Sequence, residues 1–412
     1  MSNCYRMKRF LLFCCLGGSL ALSARDTIPL YPNRFAHQIR EELAAGTLRK
    51  VRAAWEYTYI GRQREAFKVH DYYITDRMGF DTLTMEQIAY FRNFHPINAK
   101  AEILRRAANE RIVLINESHI NPRHRHFTKD LLSGLRAVGF QYFGLEALSN
   151  CASLPEEFPC DNELNERGYP LYSKASGSYV REPQMSRLIR EAHRLGFQLF
   201  AYENFGDDRD SMQAVYIAKV IEQDPDARIV VLCGFDHNIE VLDSEARSRY
   251  QKRMAYHLKR MTGIDPLTIN QYLLSETHDG MATGLYRMIN LTQPSVFTDE
   301  QGKLFSGWPG TDDRFDMLVY HPRTQYVLER PVWLVNEPGN QLYFPDKEKI
   351  TIHYPIIFKV WPAGDLESAA PIEVIERSRA EERIPLILQP GKYRLRLENP
   401  QGESQEWEIE VE

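Results

Sequence analysis

The chain has 412 residues, of which 43% are hydrophobic and 26% are charged, with a formal net charge of −5. This length and composition predict a globular protein of more than one domain and exclude a disordered or fibrous chain. The acidic balance disfavours nucleic acid as a partner, because phosphate binding needs a basic surface.

The first 24 residues have the features of a signal peptide. Basic residues precede the apolar run 10–22, and small residues before Ala24 match the cleavage sites of signal peptidases. The run is shorter than the roughly 20 residues that span a bilayer, and no later segment is long and apolar enough to do so. A lipoprotein anchored at Cys14 or Cys15 is the less favoured alternative, because bulky residues precede these cysteines. We therefore expect an exported protein, periplasmic or secreted, with no membrane span after signal removal.

Residues 25–110 are predicted to form a helical layer on the main domain, with amphipathic segments at 39–55 and 85–94. Residues 111–330 alternate short apolar runs with amphipathic segments. This alternation is typical of βαβ units and predicts an α/β domain whose parallel sheet is flanked by helices. The predicted strands are 112–115, 142–145, 198–202, 229–232, 267–269 and 317–320.

Residues 335–412 have a different pattern. Apolar and charged residues alternate with a period of two at 392–398 and 405–411, and turn residues lie between these segments. Such alternation predicts antiparallel strands with one wet face. The run 351–361 is predicted to be a strand pair or one long bent strand. We interpret the region as a small β-sandwich domain, which either binds a carbohydrate or a partner protein or only stabilises the chain.

Four predicted strands of the α/β domain end at ionisable residues. Glu117 and His119 follow the first strand, Glu146 the second, Glu203 the third and His237 the fourth. The carboxyl ends of parallel strands meet at one edge of the sheet, where ligands bind, so we expect these side chains to converge. Packing gives no reason for acidic residues at equivalent strand ends, since buried Asp and Glu are rare without partners.

The residue types at this edge suit the activation of water. A neutral imidazole beside a carboxylate can take a proton from water, which makes Glu117, His119, Glu146 and His237 the predicted catalytic residues. His119, His237 and Glu146 could instead hold a divalent metal that lowers the pKa of bound water. Motifs for a serine nucleophile, a zincin helix or a nucleotide loop are absent from the predicted strand–helix junctions, which disfavours those classes.

A basic turn at 123–126 follows the first strand. We expect Arg125, and His124 beside it, to point into the site and bind an anionic or carbonyl oxygen of the substrate. A solvated turn is the alternative interpretation of this segment. Glu203 is the third predicted substrate-binding residue, although by itself it would be an ordinary loop residue.

The long stretch 149–181 directly follows Glu146 and could cover the site as a lid, because loops of this length are usually functional or disordered. Cys151 and Cys160 within it could form a disulfide bond in an oxidising compartment. Cys233 lies in an apolar run and is predicted to be a buried thiol of the core.

The order of these motifs resembles a known superfamily. Asn-Glu-Ser-His at 116–119, Leu-Glu-Ala at 145–147 and Gly-x-x-His at 234–237 carry the resemblance. They are similar to motifs of the superfamily that joins the erythromycin esterases, the ChaN-like haem-binding lipoproteins and the TraB/Tiki proteases. The resemblance covers residues 100–270, and Asn116 stands where glycine is typical.

What the resemblance implies differs between the branches. The Glu-x-His spacing of Glu117 and His119 is closest to the ChaN-like branch, which is linked to haem uptake. In the esterases, the matching residues form a metal-free site that activates water. In the Tiki proteases, the matching motifs hold a divalent metal for peptide hydrolysis. The C-terminal β-domain lies outside the resemblance.

The sequence thus predicts an exported hydrolase acting on an ester or peptide bond of a small molecule or peptide. His119 would be the general base, oriented by Glu117 or Glu146, with His237 as a second base, an electrophile or a metal ligand. The competing interpretation is a protein that binds haem or another iron chelate, with His119 or His237 as axial ligand. A third alternative is a domain without catalysis that serves as a scaffold for the β-domain.

Overall fold

The computed structural model describes residues 32–78, 82–155, 157–242, 251–277 and 283–412, with only the backbone of 71–78. The predicted signal peptide at 1–24 lies outside these ranges. Within them, no helix combines the length and the apolar character that crossing a membrane requires.

The helices and strands are numbered in chain order. The helices α1 to α12 are Ala36–Ala44, Lys50–Thr58, Gln63–Met78, Met85–Phe91, Ala99–Ala107, Pro122–Ala137, Leu164–Arg167, Pro183–Arg194, Arg209–Gln223, Met254–Thr262, Gly284–Met288 and Val332–Val335. The strands β1 to β8 are His95–Asn98, Ile112–Glu117, Tyr142–Leu145, Gln198–Ala201, Ile229–Gly234, Leu267–Asn270, Ser295–Thr298 and Met317–Leu318. The strands β9 to β16 are Tyr326–Val327, Arg330–Pro331, Gln341–Tyr343, Ile356–Pro362, Glu373–Arg377, Leu386–Leu388, Gly391–Glu398 and Ser404–Val411.

A six-stranded parallel sheet in the order β4-β3-β5-β2-β6-β8 forms the centre of the fold. Strands β2 and β5 are buried along their whole length, because helices cover both faces of the sheet. Val113 and Ile115 pack into the core on one face, and Ile112 and Leu114 pack into the core on the other. The prediction of an α/β fold with a parallel sheet flanked by helices is confirmed.

The last strands form antiparallel sheets. A four-stranded sheet in the order β13-β12-β15-β16 and the pair β11–β14 contribute to one apolar cluster. The run 351–361 contains the first six residues of β12, so the alternative of a strand pair within it was wrong. Strand β12 is buried on both faces, whereas β15 and β16 alternate more and less buried residues, in keeping with the period-two pattern of their sequence.

The second face of the four-stranded sheet is covered by the N-terminal helices. Ile39 of α1 and Tyr57 of α2 share an apolar cluster with Ile357 and Val374 of the sheet. The backbone N–H of Ala36 donates to the Glu376 carboxylate at 2.7 Å. The predicted segment 39–55 is therefore two helices, α1 and α2, which pack against the C-terminal sheet as well as the α/β core.

Candidate active site

The four strands that were predicted to deliver ionisable residues are neighbours in the sheet. Strands β4, β3, β5 and β2 lie side by side in that order. Glu146 follows β3 directly, and two residues separate His237 from the end of β5. Because these strands are parallel, their carboxyl ends form one continuous edge, where Glu117, His119, Glu146 and His237 come together.

His119 is oriented by Glu117. The Nδ1 atom of His119 lies 3.1 Å from Glu117 Oε1, while its Nε2 atom lies 3.5 Å from Glu146 Oε1. The Glu117 side chain is almost fully buried at the end of β2, whereas the His119 ring lines a cavity. The ring also packs against Tyr179 at 4.7 Å and Phe235 at 5.0 Å. A carboxylate at Nδ1 fixes the proton on that atom and leaves Nε2 to accept one.

Arg125 does not enter the cavity, so its prediction as a substrate-binding residue was wrong. Its side chain is fully buried, with 0% exposure, and donates to Glu117 Oε2 at 2.5 Å and to Glu182 Oε2 at 2.8 Å. Burial raises the pKa of the Glu117 carboxyl, but Arg125 and His119 overcome this effect and lower the pKa below its usual value. Arg125 therefore keeps Glu117 ionised and in place beside His119.

Glu146 lies between the two histidines. Its Oε2 atom accepts a hydrogen bond from the Gly234 N–H at 2.6 Å, and its Oε1 atom accepts from Tyr179 and Arg209, both at 3.2 Å. Burial acts to raise the pKa of the Glu146 carboxyl, but His237, His119 and Arg209 lower it well below its usual value. Glu146 is therefore a fixed negative charge and a poor base.

His237 forms a second pair of imidazole and carboxylate. Its Nδ1 atom lies 2.7 Å from Asp210 Oδ1, and its Nε2 atom faces Glu146 Oε2 at 4.0 Å. Burial acts to lower the pKa of His237, but Asp210 and Glu146 overcome it and raise the pKa above its usual value. This shift favours the protonated, positively charged form of His237.

Glycine is required at position 234 by the close approach of these side chains. A Cβ atom there would lie 2.5 Å from His119 Cε1 and 3.0 Å from Glu146 Oε1. The next residue, Phe235, has a φ of +40°, which is strained for a residue with a side chain. The Asn116 side chain donates to the carbonyl of Phe235 at 2.5 Å and holds this turn against β2. Asparagine at 116, where the resemblance favours glycine, thus fastens the two strand ends together.

The segment after β3 carries two further residues of the site. Tyr179 places its hydroxyl against Glu146, and Glu182 bonds to Arg125, as described above. The segment is joined to the C-terminal strands, since the N–H of Tyr172 donates to Ser368 O at 2.7 Å. Cys151 and Cys160 within it form a disulfide bond, with Cα atoms 5.6 Å apart. Cys233, by contrast, is a buried free thiol, as predicted.

Two more of the predicted substrate-binding residues lie behind the site. His124 is fully buried, accepts a hydrogen bond from the Ser118 N–H at 2.9 Å and lies 2.7 Å from Ser275 Oγ, so it supports the turn before His119. Glu203 is buried as well and binds the guanidinium of Arg209 at 2.5 Å. Neither side chain lines the cavity, and the prediction of direct substrate binding was wrong for both.

The cavity in front of His119 has a volume of about 780 Å³. Its polar wall includes His119, Arg209, His237 and Arg253, and its apolar wall is formed by leucine and aromatic side chains. The volume lies within the roughly 300–1,000 Å³ that is usual for small-molecule sites.

The side chains around Glu146 do not suit a metal ion or haem. The Glu146 oxygens already accept hydrogen bonds, and the Arg209 guanidinium lies where a second cation would be repelled. No group of three His, Cys, Asp or Glu side chains within the described ranges is arranged to hold a metal. The Nε2 atoms of His119 and His237 lie 3.5 Å and 4.0 Å from Glu146 oxygens, so an iron atom bound to either histidine would lie close to a carboxylate that already accepts three hydrogen bonds.

The turn that carries His237 continues to a buried carboxyl group with a perturbed pKa. Glu240 accepts a hydrogen bond from the Thr268 hydroxyl at 2.6 Å and lies 3.2 Å from Lys259 Nζ. Burial and the neighbouring Asp316 carboxylate raise the pKa of Glu240 to about 8. The folded protein holds this proton more tightly than the unfolded chain. The resulting stabilisation is complete below pH 4.5 and is lost as the pH rises through about 8.

Glu240→Gln, which mimics the protonated form, is expected to reduce the fall in melting temperature between about pH 6 and pH 9. Circular dichroism melts of the wild type and the variant across this range measure the effect. Glu408→Gln, a change of the same kind on exposed β16, serves as the control. Parallel curves for wild type and Glu240→Gln would contradict the prediction.

Three residues of the site were missed by the sequence analysis. Asp210 and Arg209 lie in the first turn of α9, which follows the same sheet edge, so their position was a usable signal. Tyr179 comes from an irregular segment, and only tertiary packing brings its hydroxyl to Glu146. Nothing in the local sequence marks that contact.

The fold and the site define an α/β protein with two pairs of imidazole and carboxylate at the carboxyl edge of a parallel sheet. The chain matches no protein-family model and no curated protein. Among solved structures it is similar to the type III effector HopBA1, with 9% identity and a TM-score of 0.33 over 56% of this chain and 98% of that one. It is also similar to RRSP, a MARTX toxin effector domain from Vibrio vulnificus, with 15% identity and a TM-score of 0.29 over 51% and 44% of the two chains.

A further similarity is to the C-terminal region of Pasteurella multocida toxin, described as having a thiol-protease-like catalytic triad. The identity is 11% and the TM-score 0.26, over 50% of this chain and 30% of that one. The chain thus spans less than half the length of the last two proteins.

Proposed function

We propose that the protein is a hydrolase in which His119 activates water for attack on an ester bond. The observation that carries the proposal is the pairing of His119 Nδ1 with Glu117 Oε1 at 3.1 Å, with the imidazole ring at the wall of the cavity. An oriented imidazole of this kind is the general base of many acyl-transfer enzymes. Arg125 supports the pair by donating hydrogen bonds to both oxygens of the Glu117 carboxylate.

The reaction proceeds in two steps that use the same imidazole. His119 Nε2 takes a proton from water as the water oxygen bonds to the carbonyl carbon, and the carbonyl oxygen becomes an oxyanion. The bond to the alcohol oxygen then breaks, and the proton on His119 passes to that oxygen. The products are a carboxylic acid and an alcohol, and the histidine returns to its starting form.

Arg209 and protonated His237 are suited to stabilise the oxyanion. Both line the cavity beside His119, and both are held by carboxylates, Glu203 for Arg209 and Asp210 for His237. Fixed positive groups at the position where negative charge develops lower the barrier of acyl transfer. Glu146 is buried between His119 and His237 and accepts a hydrogen bond from Arg209, so it holds these three side chains close together.

We further propose that the protein belongs to the superfamily of erythromycin esterases, ChaN-like proteins and TraB/Tiki proteases, and that it is exported. The convergence of Glu117, His119, Glu146 and His237 supports the first proposal. The bond between Cys151 and Cys160 supports the second, because disulfides persist in oxidising compartments. The C-terminal sheets are proposed to support the segment that carries Tyr179.

A panel of esters, lactones and short peptides tests the proposed function. The protein is assayed near neutral pH beside a His119→Ala/His237→Ala double variant, which serves as the blank. Hydrolysis of esters by the wild type alone is expected. Equal rates for the two proteins across the whole panel would refute the proposal, and cleavage of peptides alone would replace the ester by an amide as the substrate.

A further inference from the structure

The cavity in front of His119 extends into a region with apolar walls. Six side chains, which we call the apolar chamber, form these walls: Leu274, Leu285, Phe305, Trp308, Phe315 and Leu318. All six belong to one apolar cluster of the core, in which Trp308 is only partly buried. Phe235 and Tyr272 line the same cavity as the chamber and His119; the Tyr272 ring lies 5.2 Å from Phe235, and Phe235 lies 5.0 Å from His119.

The wall that carries Trp308 is a closed turn. The Ser306 hydroxyl donates to Asp312 O at 2.7 Å, and the N–H of Thr311 donates to Trp308 O at 2.8 Å. Gly307 in this turn has a φ of +153°, and a Cβ atom there would lie 2.9 Å from Thr311 O. The Trp308 ring also packs on Phe305 at a centroid distance of 5.2 Å. The wall that carries Trp308 is therefore held in place by hydrogen bonds and packing within its own turn.

The chemistry of the two walls differs and selects the ligand. The proposed catalytic wall offers charged donors, whereas the six chamber side chains offer only the indole N–H of Trp308 for hydrogen bonding. Thr283, Ser306, Thr311 and Arg314 also line the cavity, and the Ser306 hydroxyl donates to Asp312 O within the turn. A peptide backbone packed against the six apolar side chains would leave amide groups unsatisfied, which is unfavourable. Alkyl and aromatic groups have no hydrogen bonds to lose in the chamber, and the burial of their apolar surface is favourable.

Building on the proposed function, we propose that the apolar chamber binds a bulky alkyl or aromatic group adjacent to the scissile bond. The substrate is then a small ester with one large apolar end rather than a peptide. The cavity volume of about 780 Å³ accommodates such a molecule together with the reacting ester group.

Two series of esters test the substrate class. In the first, the acyl group lengthens from acetyl through hexanoyl to 3-phenylpropanoyl on one alcohol. In the second, the alcohol of an acetate ester changes from ethanol to hexanol and 3-phenylpropanol. At least one series is expected to show a rise in kcat/KM of about tenfold or more, since each methylene that enters an apolar pocket has an effect of roughly this size.

Leu273→Trp is designed to fill the chamber. Leu273 lines the same cavity and is only partly buried, so that the larger side chain can be accommodated without disrupting the core. The variant is expected to lose the preference for bulky esters while it still hydrolyses the smallest acetate ester. Leu366→Trp, the same change at an exposed position near the C-terminal sheet, is expected to retain the preference.

Calorimetric binding of 3-phenylpropanoic acid and 3-phenylpropanol separates this inference from the proposed function. Binding of either compound to wild type and to His119→Ala, but not to Leu273→Trp, supports the chamber even if no ester is hydrolysed. Ester hydrolysis with flat profiles in both series, and no binding of either compound, would overturn the chamber and leave the hydrolase proposal standing. Equal binding to Leu273→Trp would also overturn it.

Discussion

His119→Ala is expected to lower kcat/KM by about 10²–10⁴-fold on any ester that the wild type hydrolyses. The imidazole has the Glu117 carboxylate at Nδ1, and the ring lines the cavity with Nε2 3.5 Å from Glu146. His237 has a similar arrangement with Asp210, but Asp210 and Glu146 outweigh the effect of burial and raise the pKa of His237, which disfavours it as the base. Alanine removes this base and leaves the buried pair of Glu117 and Arg125 intact. The free energy of unfolding is therefore expected to change little.

Steady-state kinetics and a denaturant titration measure the two effects on the same preparation. His353→Ala is the matched control, because the His353 side chain is 86% exposed, lies beside Glu403 and belongs to the segment that precedes β12. Glu117→Gln should also reduce turnover, since an amide orients the imidazole less firmly than a carboxylate does. Unchanged turnover in His119→Ala would remove this residue from the mechanism.

Arg125→Met is expected to lower the free energy of unfolding by about 3–5 kcal/mol, because it removes one partner of a buried ion cluster. The carboxylates of Glu117 and Glu182 would remain in the interior with 2% side-chain exposure each and without their counter-charge. Activity should fall as well, since Glu117 would no longer be held against His119. The double variant Arg125→Met/Glu117→Gln is expected to regain part of the stability but not the activity.

Urea denaturation compares this variant with Arg105→Met. Arg105 also bonds to a glutamate, Glu102, but its side chain is 66% exposed. Exposed ion pairs contribute about 1 kcal/mol or less, so the control should lose far less stability. Similar losses for the two variants would show that the Arg125 cluster is not the stabilising element described here.

The parallel sheet could be predicted because its signal is local. Strands β2 and β5 are short apolar runs followed by polar residues, and each pattern is complete within a few positions. The N-terminal layer was predicted less accurately. Residues 39–55 have the pattern of one amphipathic segment, but the chain forms two separate helices there, α1 and α2. Its packing against Ile357 and Val374 depends on residues more than 300 positions away, which no local pattern encodes.

The convergence of Glu117, His119, Glu146 and His237 could be predicted from their strand ends, but the position of Arg125 could not. Arg125 stands in a basic turn that is typical of a binding surface. It turns inward because Glu182, 57 residues later, and Glu117 supply charges that compensate its burial. Asp210 likewise acquires its place through His237, which lies 27 residues away in the chain. Ion pairs between residues so far apart in the chain cannot be predicted from local sequence, because the fold alone brings the partners together.

The contact between α1 and β13 has a consequence for the time at which the protein can fold during synthesis. Ala36 bonds to Glu376 across 340 residues, and Phe35 and Ile39 share their apolar cluster with the sheet that contains it. At about 5–20 residues per second, a ribosome needs roughly 20–70 seconds to produce the intervening chain. The first helix of the described chain is therefore among the last to reach its final packing, and its apolar face stays accessible to chaperones until then.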